Sequence, residues 1–208
     1  MIDVSRLPVG RIGDAARVLA RAFKSDPILT YFLSGSLRRQ IAYPAFFRAI
    51  LFETWEGGHV YGATDGPDLV GVAIWAAPGT ADPSTPFRRR AAWNHALVRL
   101  CFPGRSLGIY RGFHATQSLH PKAPHWYLCF VGVDPARQAA GVGRQLLAPV
   151  LAIADREHTL CYLETPFPAT HDFYRQLGFA LGLEASPFQG ATALRTMERP
   201  PVAETSPR

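Results

Sequence analysis

The sequence predicts an α/β (α+β) fold in which helices flank a central mixed sheet that is mostly antiparallel. Three stretches of the chain support this prediction. Residues 59–75 hold two strand-like runs around the turn Asp65–Pro67, which is typical of an antiparallel hairpin. Residues 126–153 pass from an aromatic, apolar run to apolar side chains at helical spacing, which predicts a strand followed by a helix. Residues 179–198 hold two more strand-like runs around a turn with Pro and Gly.

Length and composition indicate one globular domain. The chain has 208 residues, of which 48% are hydrophobic and 12% aromatic, enough for a sizeable core. We expect residues 1–199 to form this single domain and residues 200–208 to be a disordered tail. Cys101, Cys129 and Cys161 are far apart in the sequence and have apolar neighbours. They are therefore expected to be reduced, buried thiols.

Neither a membrane segment nor a secretory leader is predicted. No apolar run approaches the roughly 18 residues that a membrane helix needs. The N-terminal residues also lack the apolar stretch of a signal peptide. We therefore expect a cytoplasmic protein with no membrane partner.

The charge balance is basic, with a formal net charge of +6 when His is neutral. Such a surface suits nucleic acid, an anionic membrane or an acidic small molecule. The one run of three basic residues, Arg88–Arg90, is most simply interpreted as a solvated helix face. No zinc-finger spacing, RNA-recognition motif or Lys-rich tail accompanies it. We expect no nucleic-acid partner, because an acidic small-molecule ligand would account for part of the positive charge.

Apolar residues recur at helical intervals twice in the N-terminal half. The first helix is predicted over Asp14–Phe23, and Lys24–Pro27 interrupts it, because proline does not continue a helix. The second helix is predicted over Leu37–Trp55. Its expected core-facing residues are Ile41, Phe47, Ile50 and Leu51.

The remaining elements alternate between strands and helices. A Pro-rich loop is predicted over Pro78–Pro86, and helices over Phe87–Cys101 and Arg105–His120. The predicted strands are His59–Tyr61, Leu69–Trp75, Trp126–Val133, Leu160–Thr165, Phe179–Ala185 and Ala191–Glu198.

The most informative motif is the turn Gln138–Gly143, between the strand and the helix of residues 126–153. Gly141 and Gly143 remove side chains where the helix begins, so its unpartnered N–H groups and the positive end of its dipole stand open. Such a helix terminus binds phosphate groups, which predicts a pyrophosphate site. A Walker loop needs Lys at the position of Arg144, and a Rossmann fingerprint needs a small residue at the position of Leu146, so the turn matches neither motif.

Two motifs together resemble the GCN5-related N-acetyltransferase (GNAT) superfamily. Gln138–Gly143 after a strand is similar to motif A of that family, Q/R-x-x-G-x-G/A. A strand ending in Leu163–Glu164, then a helix with Tyr174 and the sequence Leu177–Phe179, is similar to its motif B. Pro121–Trp126 resembles the segment that precedes the motif A strand in the branch containing puromycin N-acetyltransferase.

The resemblance implies a GNAT fold, in which the two motif strands run parallel and splay apart. It also implies that acetyl-coenzyme A binds there, its pantetheine arm along the first strand and its pyrophosphate at the glycine turn. Gly132 is expected either to permit a bulge or only to accommodate a core neighbour. The implied cofactor-binding residues are Val131, Gly132, Val133, Arg137, Gln138, Ala139, Ala140, Gly141, Val142, Gly143, Arg144, Thr170 and Phe173.

The resemblance further implies transfer of the acetyl group to the amine of a small molecule, by direct attack in a ternary complex. Tyr174 matches the general acid of many family members. A tyrosine pKa of about 10 against about 8.5 for a thiol makes full proton transfer uphill by roughly 2 kcal/mol. The proton transfer is therefore concerted with the collapse of the tetrahedral intermediate, or the site lowers the tyrosine pKa. Glu164 is the expected general base, and the alternatives are His120, His125, His171, Asp26 and Glu53.

Two departures from the family pattern matter. Ala139–Ala140 stands where many relatives have a basic residue, so Arg137 and Arg144 are expected to supply charge. Phe167 replaces an Asn that often follows the motif B strand. The alternative function is a non-catalytic coenzyme A-binding sensor or interaction module. The helical segment before Trp126 is expected to shape the acceptor pocket, and the protein to be a monomer or homodimer.

Overall fold

The computed structural model describes residues 1–33, 35–55, 58–79, 99–102 and 104–202, with the backbone alone for residues 36, 53 and 58. Most of the predicted helix Phe87–Cys101 lies outside these residues. So do the Arg88–Arg90 run, most of the Pro-rich loop, and the predicted tail from residue 203 onward.

The described residues contain one seven-stranded sheet. Its strands are β1 (Ile2–Arg6), β2 (Gly58–Asp65), β3 (Asp68–Ala76), β4 (His125–Val133), β5 (Leu160–Thr165), β6 (Ala180–Ala185) and β7 (Leu194–Arg199). Their order across the sheet is β1-β2-β3-β4-β5-β7-β6. The β4–β5 pair is parallel and every other neighbouring pair is antiparallel. The predicted mixed, mostly antiparallel sheet is confirmed. The sequence prediction lacks β1, whose largely exposed residues give little apolar alternation.

Six α-helices have their bounds within the described residues, and residues 99–101 are also helical. The six are α1 (Ile12–Ala22), α2 (Pro27–Phe32), α3 (Ser36–Thr54), α4 (Ser106–Gln117), α5 (Val142–Arg156) and α6 (His171–Arg175). The segment that interrupts the first predicted helix also begins α2. Asp26 caps this helix by accepting hydrogen bonds from the backbone N–H groups of Ile28 at 3.0 Å and Leu29 at 2.8 Å. Pro27 occupies the first helical position, where its missing N–H costs nothing.

The core face of α3 differs from the predicted one at one position. Phe47, Ile50 and Leu51 are buried as predicted, but Ile41 is 74% exposed. A helix turns about 100° per residue, so Ile41 lies about 120° around the axis from Phe47. Tyr43 is buried on the core face instead.

The sheet is covered on both faces, and β3 shows how. Val72 and Ile74 belong to the apolar core that contains residues of α1 and α3. Ala73 and Trp75 belong to the core that contains residues of α5. Successive side chains of a strand point to opposite faces, so one strand serves both cores. This explains the nearly continuous apolar run of β3.

The parallel strands β4 and β5 pair over a short length and then diverge. His125 lies opposite Leu160, Trp126 opposite Cys161, and Tyr127 opposite Tyr162, where the pairing ends. β4 continues to Val133 in register with β3. Among the described residues its other edge therefore has no strand partner beyond Tyr127, and the predicted splayed pair is confirmed.

A bulge interrupts the β3–β4 ladder at Cys129 and not at Gly132. Ile74 pairs with Phe130 and Trp75 with Leu128, so Cys129 is the extra residue. Gly132 instead accommodates α1. A Cβ atom added at Gly132 would lie 2.8 Å from the Cβ of Ala22 and 3.0 Å from a methyl group of Leu19.

Three further observations concern thiols, termini and helix length. Cys101 and Cys161 are buried, Cys129 is half-buried, and all three are free thiols. The backbone N–H of Val202, within the predicted tail, donates to the Asp155 carboxylate at 2.8 Å. None of the described helices is long and apolar enough to cross a membrane.

The close approach of α1 to β4 predicts that Gly132→Ala is destabilising. The new methyl group overpacks the contact with Ala22, which typically costs about 1–3 kcal/mol. Gly10→Ala is the matched control, because a Cβ atom there meets nothing within 4 Å. Urea unfolding of both variants measures the difference. Equal midpoints for the two variants would contradict this role for Gly132.

Candidate active site

A cavity of about 220 Å³ lies where β4 and β5 diverge. Its wall includes residues 127–131 of β4, residues 163–165 of β5, and Thr170 and Tyr174 from the segment after β5. Val131, Glu164 and Tyr174 come from three separate elements, and the structure brings them to one cavity. Gly132 and Val133 continue β4 toward the glycine turn.

The opposite wall of the cavity is apolar and aromatic. It comes from the end of α1, from α2, α3 and α4, and from the loop before β7. The apolar side chains on this wall include Phe23, Leu29, Ile50, Phe113 and Phe188. Two carboxylates, Asp26 and Glu164, also line the cavity, whereas no Lys or Arg occurs among its described lining residues. This combination suits an apolar molecule that carries a positively charged group.

Asp26 has a structural role as the cap of α2 and also faces the cavity. It is 5% exposed. Burial raises the pKa of Asp26, and the bonds from the Leu29 and Ile28 N–H groups offset part of the rise. A cationic group in the cavity would favour the ionised form of this carboxyl.

Tyr174 lies deep in the cavity wall. It is 7% exposed and packs against the rings of Phe173 and Phe179, with centroids 5.1 Å and 5.8 Å away. Burial raises the pKa of Tyr174, so its hydroxyl stays protonated at neutral and alkaline pH. The expected lowering of this pKa by the site is therefore not what the surrounding protein produces.

Glu164 belongs to a buried polar cluster. Its Oε1 lies 3.3 Å from Nε2 of His120, and the two side chains are 6% and 7% exposed. That distance is within ion-pair range, although neither atom makes a well-aligned hydrogen bond to a described residue. Burial and then the Glu164 charge raise the pKa of Tyr127 and that of Tyr162.

The other base candidates lie in different places. His125 contacts His120, with 3.1 Å between Nε2 and Nδ1, and does not line the cavity. His171 begins α6 and is absent from the described cavity wall. The Glu53 side chain lies outside the described residues.

The glycine turn presents the start of α5 to solvent. Gly141 has φ +77°, and its carbonyl accepts the N–H of Gln145 at 3.2 Å. The N–H groups of Val142, Gly143 and Arg144 therefore lack intrahelical acceptors. Ala139, two residues before Gly141, also has a positive φ, +61°, which is uncommon for a residue other than Gly. Ala140 lies between them and is exposed.

Side chains around this turn are already partnered. The Gln138 amide donates to the carbonyl of Val133 at 3.2 Å. Arg137 lies 3.2 Å from the Asp65 carboxylate, and Arg144 donates to Gln176 at 3.2 Å. The two arginines proposed to supply charge are thus near the turn, and Asp65 offsets part of the Arg137 charge.

Gly143 connects the turn to α6. A Cβ atom added at Gly143 would lie 3.3 Å from the Phe173 ring, so glycine allows this close contact. Thr170 donates its hydroxyl proton to the Phe167 carbonyl at 2.8 Å and lies 3.0 Å from the Thr165 hydroxyl. Thr170 therefore keeps only acceptor capacity toward a ligand.

These features fit acetyl-coenzyme A. The free edge of β4 offers backbone groups for the amides of a pantetheine arm, and the start of α5 offers N–H groups bordered by arginine for a pyrophosphate. A Cβ atom at Gly141 would meet nothing within 4 Å, so the turn is open on that side.

The comparisons with known proteins agree with this geometry. The sequence model of the Acetyltransferase (GNAT) family matches residues 31–179. The chain belongs to this family. The chain is also similar to an uncharacterised N-acetyltransferase of Schizosaccharomyces pombe, 27% identical over 177 residues, covering 79% of this chain and 69% of that protein.

Solved structures share the fold. A Corynebacterium glutamicum protein, described as histone acetyltransferase HPA2 and related acetyltransferase, is 25% identical with a TM-score of 0.72, over 98% of both chains. Arylalkylamine N-acetyltransferase 2 from Aedes aegypti is 13% identical with a TM-score of 0.63, over 96% of this chain and 98% of that one. The chain is an acyl-coenzyme A-dependent N-acetyltransferase.

Two features of the site are absent from the sequence prediction. Arg21 of α1 pairs with Asp134 at 2.6 Å and so brings a third arginine to the start of the glycine turn. Nothing local indicates a contact between residues so far apart in the chain. The second feature is Tyr162 as a neighbour of Glu164. The two residues are two positions apart on one strand, and this spacing is the sequence signal that their side chains share a face.

The open, left-handed conformation of Gly141 predicts that Gly141→Val loses affinity for acetyl-coenzyme A while the fold persists. A side chain in this conformation costs about 1–2 kcal/mol. The variant turn relieves that strain when no ligand is bound and must return to the left-handed conformation to bind, so we expect an affinity loss of about tenfold or more. Gly35→Val is the matched control, because Gly35 at the start of α3 also has positive φ and open space. Calorimetry measures both. Unchanged affinity in Gly141→Val would mean that the pyrophosphate binds elsewhere.

Proposed function

We propose that this enzyme transfers an acetyl group from acetyl-coenzyme A to the amine of a small-molecule acceptor, by direct attack in a ternary complex. The observation that carries the proposal is the shared cavity of Glu164, Tyr174 and Val131. A carboxylate, a protonated hydroxyl and a free strand edge lie around one space. These are the groups that such a transfer needs.

The chemistry of the cavity supports an amine as the acceptor. In a protein with net charge +6, the described lining has two carboxylates and no Lys or Arg. The aromatic side chains favour an apolar body next to the amine, both by apolar contact and by cation–π attraction. The Pro121–Trp126 segment, which resembles the puromycin N-acetyltransferase branch, supports including aminonucleosides among the candidates.

The donor side is assigned to β4 and the glycine turn. Acetyl-coenzyme A, when bound, supplies a thioester carbonyl for attack. Val131, Gly132 and Val133 would hold its pantetheine arm through the backbone. Residues 137–144 would hold its pyrophosphate, with Phe173 packed beneath Gly143 and Thr170 able to accept a hydrogen bond.

The two titratable groups have opposite tasks. An amine with pKa near 10 arrives protonated at neutral pH and must lose a proton before it attacks. Glu164 takes that proton, directly or through water, and Tyr174 holds the proton that the departing sulfur needs. The roles follow from their environments, because burial keeps the tyrosine protonated while Glu164 lies beside a histidine.

The alternative, a non-catalytic coenzyme A-binding module, has less support. Its motivation is the Ala139–Ala140 pair in the glycine turn. Arg137, Arg144 and Arg21 lie around that turn, and the expected acid and base face one cavity. A cytoplasmic location and a monomeric or homodimeric state stay predictions from the sequence.

The test of this function is release of coenzyme A thiol with a panel of acceptors. The panel contains arylalkylamines, polyamines, aminonucleosides and, for each amine, the corresponding alcohol. We expect thiol release with apolar primary amines and none above background with the alcohols. Binding of acetyl-coenzyme A without thiol release for any amine would support the non-catalytic module instead.

A substitution of Asp26 tests the negative charge of the cavity. Asp26→Asn keeps a side chain that caps α2 well, whereas Asp26→Ala loses the cap at a cost of about 0.5–2 kcal/mol. We expect Asp26→Asn to raise KM for cationic acceptors with little change in unfolding midpoint. An unchanged KM in this variant would limit Asp26 to its capping role.

The position of Tyr174 predicts that Tyr174→Phe lowers kcat far more than it weakens acetyl-coenzyme A binding. The packing against Phe173 and Phe179 survives, and only the hydroxyl is lost, so we expect a fall in kcat of about 10²–10⁴. Because burial raises the pKa of Tyr174, the pH profile should keep its shape and fall in height. Single-turnover and steady-state rates measure this.

Tyr43→Phe is the control for this variant. It also removes a buried hydroxyl, one without a hydrogen-bond partner among the described residues, and Tyr43 does not line the cavity. A near-normal kcat in Tyr174→Phe would mean that another group supplies the proton.

A further inference from the structure

A continuous chain of polar contacts runs inward from the start of β4 to the cavity. The Nδ1 of His125 lies 2.8 Å from the backbone carbonyl oxygen of Ala123. The Nε2 of His125 lies 3.1 Å from Nδ1 of His120. The Nε2 of His120 lies 3.3 Å from Oε1 of Glu164, which lines the cavity.

The contact between His125 and the Ala123 carbonyl determines which ring nitrogens of His125 and His120 carry a hydrogen. A carbonyl oxygen only accepts, so Nδ1 of His125 carries the hydrogen. Burial lowers the pKa of His125, so its ring is neutral and its Nε2 is an acceptor. The Nδ1 of His120 must then donate to it. The tautomer of His120 is thereby fixed, with its Nε2 directed at Glu164.

The last contact consequently has a place for one proton, which the resting pair does not yet hold. A neutral His120 in this tautomer would present a lone pair to a carboxylate oxygen, and the two atoms would repel each other. One proton between them gives either an imidazolium with a carboxylate or an imidazole with a carboxylic acid. Both forms are attractive, so the pair gains by taking up one proton.

The surroundings favour sharing of this proton. The titratable groups around Glu164 in the described elements are Tyr127 and Cys129 on β4 and Tyr162 on β5. Glu198 on β7 acts on the neighbouring His125 and Tyr162. Burial and then the Glu164 charge raise the pKa of Tyr127, Cys129 and Tyr162, which keeps all three neutral. Among the described neighbours, no Lys or Arg appears as a rival partner for Glu164.

We infer that Glu164 and His120 act as one base, in which the proton removed from the acceptor amine is shared, and that His125 holds His120 in the required tautomer. Glu164 is the catalytic residue because it touches the cavity. His120 and His125 act through it and are positioning residues. This inference rests on the proposed acetyl transfer and names the base of that reaction.

The proton balance of the transfer closes in this arrangement. The pair starts without a shared proton; Glu164 accepts one as an N–H bond of the amine breaks, and His120 shares that proton. The electron pair left on nitrogen forms the new C–N bond to the acetyl carbon. Tyr174 gives its proton to sulfur as the C–S bond breaks. One proton enters the pair and one leaves Tyr174, and exchange with solvent restores both groups after product release.

His120→Gln separates the shared base from a merely structural histidine. Gln fills the space and donates a hydrogen bond but takes no proton. We expect kcat/KM to fall by about tenfold to a hundredfold, below the 10²–10⁴ of a directly acting base. We also expect the acid limb of its pH profile to move to lower pH, because the partner that shares the proton is gone. His114→Gln, at an exposed position of α4, is the matched control and should leave the profile unchanged.

Non-additivity is the second readout. If the two residues form one base, Glu164→Gln with His120→Gln together should be no slower than Glu164→Gln alone. Independent losses that multiply in the double variant would overturn the inference. So would an acid limb in His120→Gln that coincides with that of the wild type.

A measurement that needs no turnover tests the same series of contacts from His125 through His120 to Glu164. Imidazole ¹⁵N NMR of the wild-type protein should show a hydrogen on Nδ1 of both His120 and His125. Glu164→Gln should shift the Nε2 resonance of His120 and leave His114 unaffected. A neutral His120 protonated at Nε2 would overturn the inference whatever the activity. If the tautomers are as expected but the wild type acetylates no amine, the proposed function fails, and with it the role of the pair as a base.

Discussion

The divergence of β4 and β5 after three paired residues is the constraint on which the site depends. Backbone N–H and C=O groups inside a protein need partners, and two parallel strands normally supply them to each other. Here the pairing stops at Tyr127 and Tyr162, yet β4 continues to Val133 against β3. The free edge of β4 and the side chains at the end of β5 therefore border the same space. A ligand with amide groups can satisfy the edge that the sheet leaves open.

Much of this arrangement is predictable from local sequence, and the reasons are physical. The turn around Gly141, the strand ending in Glu164 and the helix with Tyr174 each depend on short-range patterns of glycine and apolar spacing. Their order along the chain predicts a parallel strand pair through family resemblance. α2 escapes prediction because Pro27 ends one helix and starts another, and sequence alone does not distinguish these two uses of proline. The side of α3 that faces the core depends on tertiary packing, which explains the exposed Ile41.

The electrostatic details are less predictable because they join distant parts of the chain. Arg21 and Asp134 meet only after α1 packs on the sheet. His120 lies in the connection between α4 and β4, and its distance from Glu164 depends on how that connection folds over the strands. The sequence does offer histidines as candidates near the motif A strand. The sequence contains nothing that distinguishes the histidine near the Glu164 carboxylate, His120, from the histidine that contacts His120, His125.

The contact between Gly132 and α1 has a consequence for sequence variation. Ala22 and Leu19 fill the space that a side chain at position 132 would occupy. A larger residue at 132 can be accommodated if α1 moves outward or if position 22 loses its methyl group. Residues 22 and 132 should therefore covary in size among relatives, with the summed volume of the two side chains held nearly constant. Their compensation would act on the spacing between helix and sheet, and through it on the strand edge that borders the cavity.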